Sequence, residues 1–261
     1  VLRPALAAVL LVTSGCSDWR GEQIYHQATE LGARGRWNEA LHHYERLWVQ
    51  VPQHARTNEA RLQAARIYAG PARKPRSAEE QYREILLRST DEAVRSAAAK
   101  ELATLYERDL GQPDRAAEVL EAWRQRTTDD LVRAEASVRL AKLHLQSGRL
   151  LQALQEAEPW SREASPADLR PRALVVMAQA RELARAVSAA TETYAKAVEQ
   201  ASEGSDVWIA ALEGEVRMLE EAGRWADAIE QLGRLRAGHP NPEALGRWEI
   251  AIRERQAEVN R

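Results

Sequence analysis

Gly35-Arg36-Trp37-Asn38-Glu39-Ala40, near the start of the chain, and Gly223-Arg224-Trp225-Ala226-Asp227-Ala228, near its end, are almost the same hexapeptide. Weaker copies stand between them, Gly111-Gln112-Pro113-Asp114-Arg115-Ala116 and Gly148-Arg149-Leu150-Leu151-Gln152-Ala153. Two further copies, around Ala78 and Ala190, lack the glycine. Aligned on the small residue, the copies fall at Ala40, Ala78, Ala116, Ala153, Ala190 and Ala228, with spacings of 38, 38, 37, 37 and 38. An interval held to one residue is the mark of a repeat architecture. Four residues beyond each Ala come Tyr44, Tyr82, Leu120, Ala157, Tyr194 and Leu232; seven beyond come Leu47, Ile85, Trp123, Trp160, Ala197 and Leu235. Positions i, i+4 and i+7 share one face of a helix, so each copy opens a helix with one buried stripe.

A second helix precedes each of these, marked by Ala64-Ala65 before Tyr68, Leu102-Ala103 before Tyr106 and Leu140-Ala141 before His144. A small residue in mid-helix lets the partner helix approach closely while larger side chains close over the contact. Leu, Ala, Glu and Arg dominate the composition, and no stretch alternates in the manner of a half-buried strand. The expected class is all-α. The pattern resembles the tetratricopeptide repeat, with Pro52 and Pro240 following the second helix in the first and sixth units. The usual period is about 34 residues, so the helices or loops here are longer. The resemblance implies a right-handed superhelical solenoid of about six hairpins over residues 22–240. In it, Tyr25, Leu62, Arg66, Lys100, Val138, Lys142, Val175, Gln179, Glu213 and Arg217 line a concave, partner-binding face. Ser77 with Glu80 and Ser165-Pro166-Ala167-Asp168 read as helix starts. Residues 241–261 read as a capping helix, with Leu245, Trp248, Ile252 and Val259 on its inner face.

The N-terminus carries a different signal. One Arg, an apolar run to Val12 and then Thr13-Ser14-Gly15-Cys16 have the order of a secretory signal peptide. Cys after a small residue resembles the lipobox of bacterial lipoproteins, although Thr13 stands where Leu or Val is usual. The resemblance implies a signal peptide at 1–15, lipidation of Cys16 and a tether over 16–21, with Trp19 at headgroup level. Ser17 rather than Asp after the Cys leans toward the outer membrane over the inner one, with the hairpins facing the periplasm. Later segments fall short of the roughly 18 apolar residues that span a bilayer.

Catalytic patterns do not emerge. The six His residues form no i, i+4 pair around a Glu, no Gly-rich phosphate loop precedes Lys-Ser or Lys-Thr, and the single Cys builds no metal site. The expectation is a non-enzyme with no cofactor and no metal. A net charge of −2 gives no overall support to nucleic-acid binding. Of the eight Trp residues, Trp37, Trp225, Trp123 and Trp160 recur at equivalent repeat positions and read as packing. Trp48 and Trp208 stand off the pattern and are candidates for contact with a partner.

Ile24-Tyr25, Ala28, Leu31, Gly35, Trp37, Ala40, Glu45, Leu47 and Pro52 follow the order of the first repeat in the BamD family, tetratricopeptide lipoproteins of the outer-membrane β-barrel assembly machinery. That likeness covers only the first repeat. It implies an envelope scaffold that binds another envelope protein or peptide and is held to the membrane through lipid on Cys16. A pilotin or polysaccharide-export adaptor lipoprotein is the alternative, and a cell-wall-acting enzyme is a third reading.

Overall fold

The computed structural model describes residues 4–162, 165–236 and 238–259, with side chains from residue 18 onward. The side chain of Cys16, the expected lipidation site, and those of residues 1–15, expected as a signal peptide, therefore lie outside what is described. The described residues form thirteen α-helices and one 3-10 turn, paired as successive hairpins. Two compact units divide the chain, Val1–Trp123 and Arg124–Arg261.

The first unit holds α1 (Pro4–Ala33), α2 (Trp37–Gln50), α3 (Thr57–Ala69), α4 (Pro75–Arg88), α5 (Glu92–Arg108) and most of α6 (Pro113–Arg126). Its hairpins are α1/α2, α3/α4 and α5/α6; Trp123 Nε1 in the last donates to Ser96 Oγ at 3.1 Å. Residues 16–21, expected as a tether, are helical within α1. Among the described residues no helix is long and apolar enough to cross a membrane.

The second unit holds α7 (Asp130–Gln146), α8 (Leu150–Ala157), α9 (Arg170–Leu183), α10 (Val187–Gln200), α11 (Asp206–Glu221), α12 (Trp225–Leu235) and α13 (Pro242–Val259). The hairpins α7/α8, α9/α10 and α11/α12 stack in order, and α13 packs on α12. Leu245 and Ile252 of α13 are buried, and Trp248 Nε1 donates to Glu220 at 2.7 Å. Val259, expected on the same inner face, is exposed instead, at the far end of the 18-residue helix.

All six repeat alanines have no exposed surface. The residues four and seven beyond them are buried in every copy except at Trp160. There α8 stops after eight residues, and Pro159 lies in a 3-10 turn over Glu158–Ser161. Proline lacks the amide proton and its ring crowds the carbonyl four residues back, so the helix cannot run on.

Helix starts follow two rules. In three hairpins the first helix carries a side-chain cap, from Asp91, Asp129 and Ser205. The second helix starts out of the tight hairpin turn. Five residues before each repeat alanine the chain enters the left-handed region, at Gly35, Arg73, Gly111, Gly148, Arg185 and Gly223, with φ between 51° and 74°. The next residue donates back into the first helix, as Arg36 N does to Leu31 O at 2.9 Å and Arg224 N to Leu219 O at 2.8 Å. The two copies without glycine therefore keep its backbone conformation. Ser77 caps nothing: α4 starts at Pro75, whose fixed φ suits a first helical position. The other expected start also moves, since α9 begins at Arg170 after a turn over Pro166–Leu169.

A side chain with a Cβ in that conformation costs roughly 1–2 kcal/mol. Arg73→Gly and Arg185→Gly are each expected to stabilise the chain by about 1 kcal/mol in urea unfolding, less the flexibility that glycine adds to the unfolded state. The exposed Arg185–Glu221 pair, at 3.3 Å, contributes little against that gain. An unchanged unfolding midpoint in both variants would remove strain as the account of these turns.

A candidate partner-binding cleft

Four of the ten positions expected on the concave face come together in the second unit. Val138 and Lys142 stand one turn apart on α7, and Val175 and Gln179 repeat that spacing on α9. All four line a cleft of about 350 Å³ formed by α7, α9 and the first turns of α11. Its floor is apolar, from Val138, Leu169, Val175 and Val176, all under 9% exposed. Above the floor stand three cations, Arg139, Lys142 and Arg172, and two carboxylates, Glu135 and Asp206. Lys142 and Arg172 are exposed. The chemistry suits an apolar side chain in the floor, with acidic groups of the ligand over the cationic rim.

Glu135, Arg139, Arg172 and Val176 were legible in outline, because they sit three or four residues from the predicted ones on the same helices. Asp206 and Val207 were not. The register placed the contribution of α11 at Glu213 and Arg217, but the cleft meets that helix at its N-terminus.

The remaining predicted positions are engaged in the fold or stand elsewhere. Tyr25 is 8% exposed, and its hydroxyl donates to Glu59 at 2.8 Å; burial and that carboxylate both raise its pKa. Leu62 is buried. Lys100 is exposed on α5. Arg66 is paired with Glu101 at 2.5 Å, and Arg217 with Glu182 at 3.1 Å. Glu213 bonds His239 at 3.1 Å.

Two of these pairs belong to a connection that sequence reading missed. The tyrosine four residues beyond the repeat alanine reaches the same carboxylate as the arginine. Tyr82 donates to Glu101 at 2.9 Å, and Tyr194 to Glu182 at 2.5 Å. In the first unit the glutamate comes from the following hairpin; in the second it comes from the tyrosine's own hairpin and the arginine from the next. Either way three helices are tied through one carboxylate. Glu79 plays a similar part, buried and accepting from Tyr106 and Arg115, both at 2.8 Å. Trp208, singled out as a partner contact, is 3% exposed and belongs to the core of the second unit. Trp48 is half-buried with the Arg61 guanidinium 4.8 Å over its ring, and Trp19 is exposed on α1.

Stacked hairpins with a small residue at each close contact decide the comparison. The chain has a tetratricopeptide-like fold. A tetratricopeptide repeat protein from Parabacteroides merdae matches with a TM-score of 0.65 at 16% identity, over 91% of this chain and 88% of that one. PilW, a widely conserved type IV pilus biogenesis factor, matches at 0.60 and 18% identity, over 87% of this chain and 96% of its own. PilF of Pseudomonas aeruginosa matches at 0.59 and 17% identity, over 93% and 99%. At such identities the likeness is one of fold. No protein-family model matches the sequence, and no curated protein does.

Proposed function

We propose that this chain is a membrane-anchored protein-interaction scaffold of the bacterial cell envelope, and that the cleft on α7, α9 and α11 receives a segment of its partner. The observation that carries this reading is the cleft itself: an apolar floor beneath Arg139, Lys142 and Arg172, built on the first helices of two consecutive hairpins and bounded by the start of a third. A peptide with an apolar residue flanked by acidic ones matches that surface. The anchor rests on the order of apolar run, small residues and Cys16 in the sequence. Pilus biogenesis is supported by the folds of PilW and PilF. The first repeat supports a role in β-barrel assembly instead, so both envelope roles enter the test.

Cross-linked affinity purification from native envelopes separates them. A secretin co-purifying with the wild type assigns a pilus role, and a β-barrel assembly protein assigns the other. The double substitution Lys142→Glu, Arg172→Glu is expected to lower recovery of that partner at least about tenfold, the loss of two charge contacts. Both residues are exposed, so the unfolding temperature should not move. Undiminished recovery would rule out the cleft. Cys16→Ser should release the chain from the membrane fraction, and unchanged fractionation would remove the anchor.

A further inference from the structure

Three glutamates among the described residues are buried in the folded chain, and two have their charge answered. Glu79 is bonded by Tyr106 and Arg115. Glu220 accepts from Trp248 and stands 2.8 Å from Arg255. Glu215, on α11, differs. It is 8% exposed, and its Oε2 is shielded from solvent without a hydrogen-bond donor. A carboxylate held out of water without a hydrogen-bond donor is destabilising, and burial raises its pKa against the lowering influence of Arg234 and Arg224, neither of which is in ion-pair contact with it.

Glu215 lines a groove of about 880 Å³ over the second half of α11, walled by α10 and α12. Leu219, Ala195 and Ala222 give it apolar surface. Its other charged lining residues are Glu192, Glu221, Asp227, Glu230 and a single cation, Arg224. Arg224 is turned to Asp227 at 2.6 Å. Glu192 and Glu221 are paired with Lys196 and Arg185, at 2.6 and 3.3 Å. Glu230 is exposed. The lining therefore holds five carboxylates to one guanidinium, and two of the five, the buried Glu215 and the exposed Glu230, have no ion pair.

We infer that this groove is a second binding site, which takes a lysine or arginine side chain from a basic partner segment. The aliphatic stem lies on Leu219 and Ala195, and the cationic head meets Glu215 below and Glu230 at the rim. Long basic side chains bury their stems on apolar surface while the head keeps polar company. A charge-assisted bond to Glu215 would answer the carboxylate that the fold leaves unsatisfied. The site is separate from the cleft on α7 and α9, which meets only the first turns of α11: it lies over the second half of α11, between α10 and α12, and selects the opposite charge.

The test is fluorescence anisotropy of the full chain with a labelled pentalysine peptide, against a pentaglutamate control at the same ionic strength. Pentalysine should bind and pentaglutamate should not. Glu215→Gln and Glu230→Gln should each weaken binding about tenfold, as expected for loss of one charged contact. Glu243→Gln makes the same charge change at an exposed position outside the groove and should leave binding unaltered. Glu230 is exposed, so its variant still tests the site should Glu215→Gln misfold. Equal affinity for all three variants means diffuse attraction to acidic helices and overturns the proposal, as does no binding of pentalysine. Lys142→Gln, Arg172→Gln should keep pentalysine binding, so failure of the envelope-partner reading and failure of this one are distinguishable.

Discussion

Gly214→Ala is expected to destabilise the second unit by about 3 kcal/mol, the upper part of the range for overpacking a closed core. Gly214 lies on α11 directly against the ring of Tyr194. A Cβ built there would stand 2.7 Å from Cε2 and nearer still to Cε1 and Cζ. The ring has no easy way out. Tyr194 has no exposed surface, and its hydroxyl is held by Glu182, which also takes Arg217. Moving the ring breaks that three-helix connection; moving α11 opens the core formed by Leu212, Val216, Ala190 and Leu232. Glycine in a helix interior ordinarily costs about 1 kcal/mol relative to alanine, so an alanine that destabilises here reverses the usual sign. Urea unfolding monitored by circular dichroism measures the loss. Adding Tyr194→Leu, which removes the ring, should recover part of it, giving a coupling between neighbours in a double-mutant cycle. Independent, additive effects would show that the close approach does not govern the position.

Alkaline pH is the second large lever. All six tyrosines have raised pKa values, each chiefly through burial. Five donate their hydroxyl to a glutamate, which opposes a second negative charge beside it. The sixth, Tyr44, lies 3.3 Å from the Thr29 hydroxyl. A tyrosine with a higher pKa in the folded chain stabilises it in the neutral form. That contribution is complete below the unfolded value near 10.0 and is lost as pH rises toward the folded one. Tyr106 is pushed up to about 12, which corresponds to roughly 3 kcal/mol for this 2%-exposed residue alone. The expected result is a steep, cooperative loss of helix above about pH 10. Tyrosinate absorbance should rise together with unfolding. Tyrosinate forming near pH 10 while the helices persist would mean that the hydroxyls are open to water.

The repeat was legible because small residues at close helix contacts recur at a fixed interval, and that interval survives where the surrounding letters do not. Ala78 and Ala190 show this: their turns carry Arg73 and Arg185 instead of glycine, yet the backbone turns the same way. The ends of elements were less legible. Ser77 has the composition of a cap, but Pro75 starts the helix first. Val259 keeps the spacing of a buried residue on a helix that outlasts its support. Trp208 fell outside the repeat pattern and was assigned to a partner. Placed just inside α11 behind the Ser205 cap, it fills the core of its own unit.

The cleft was half visible. Val138, Lys142, Val175 and Gln179 follow from register because equivalent faces of successive first helices turn the same way. Asp206 and Val207 depend on where the start of α11 meets α9, which no single helix encodes. The same divide separates the charged residues. Arg66, Arg217 and Tyr25 have the residue types of a binding surface, and only their neighbours across the stack show them tied to Glu101, Glu182 and Glu59. Those partners lie about 34 or 35 residues away along the chain. Periodicity, a local property of each helix, was enough to define the helices, their pairing into hairpins and the faces they bury. Which charges are answered within the fold, and which have no ion-pair partner, as at Lys142, Arg172 and Glu215, depends on side chains meeting between hairpins. The sequence pattern says only that those hairpins are adjacent; packing decides which of their polar atoms come within reach.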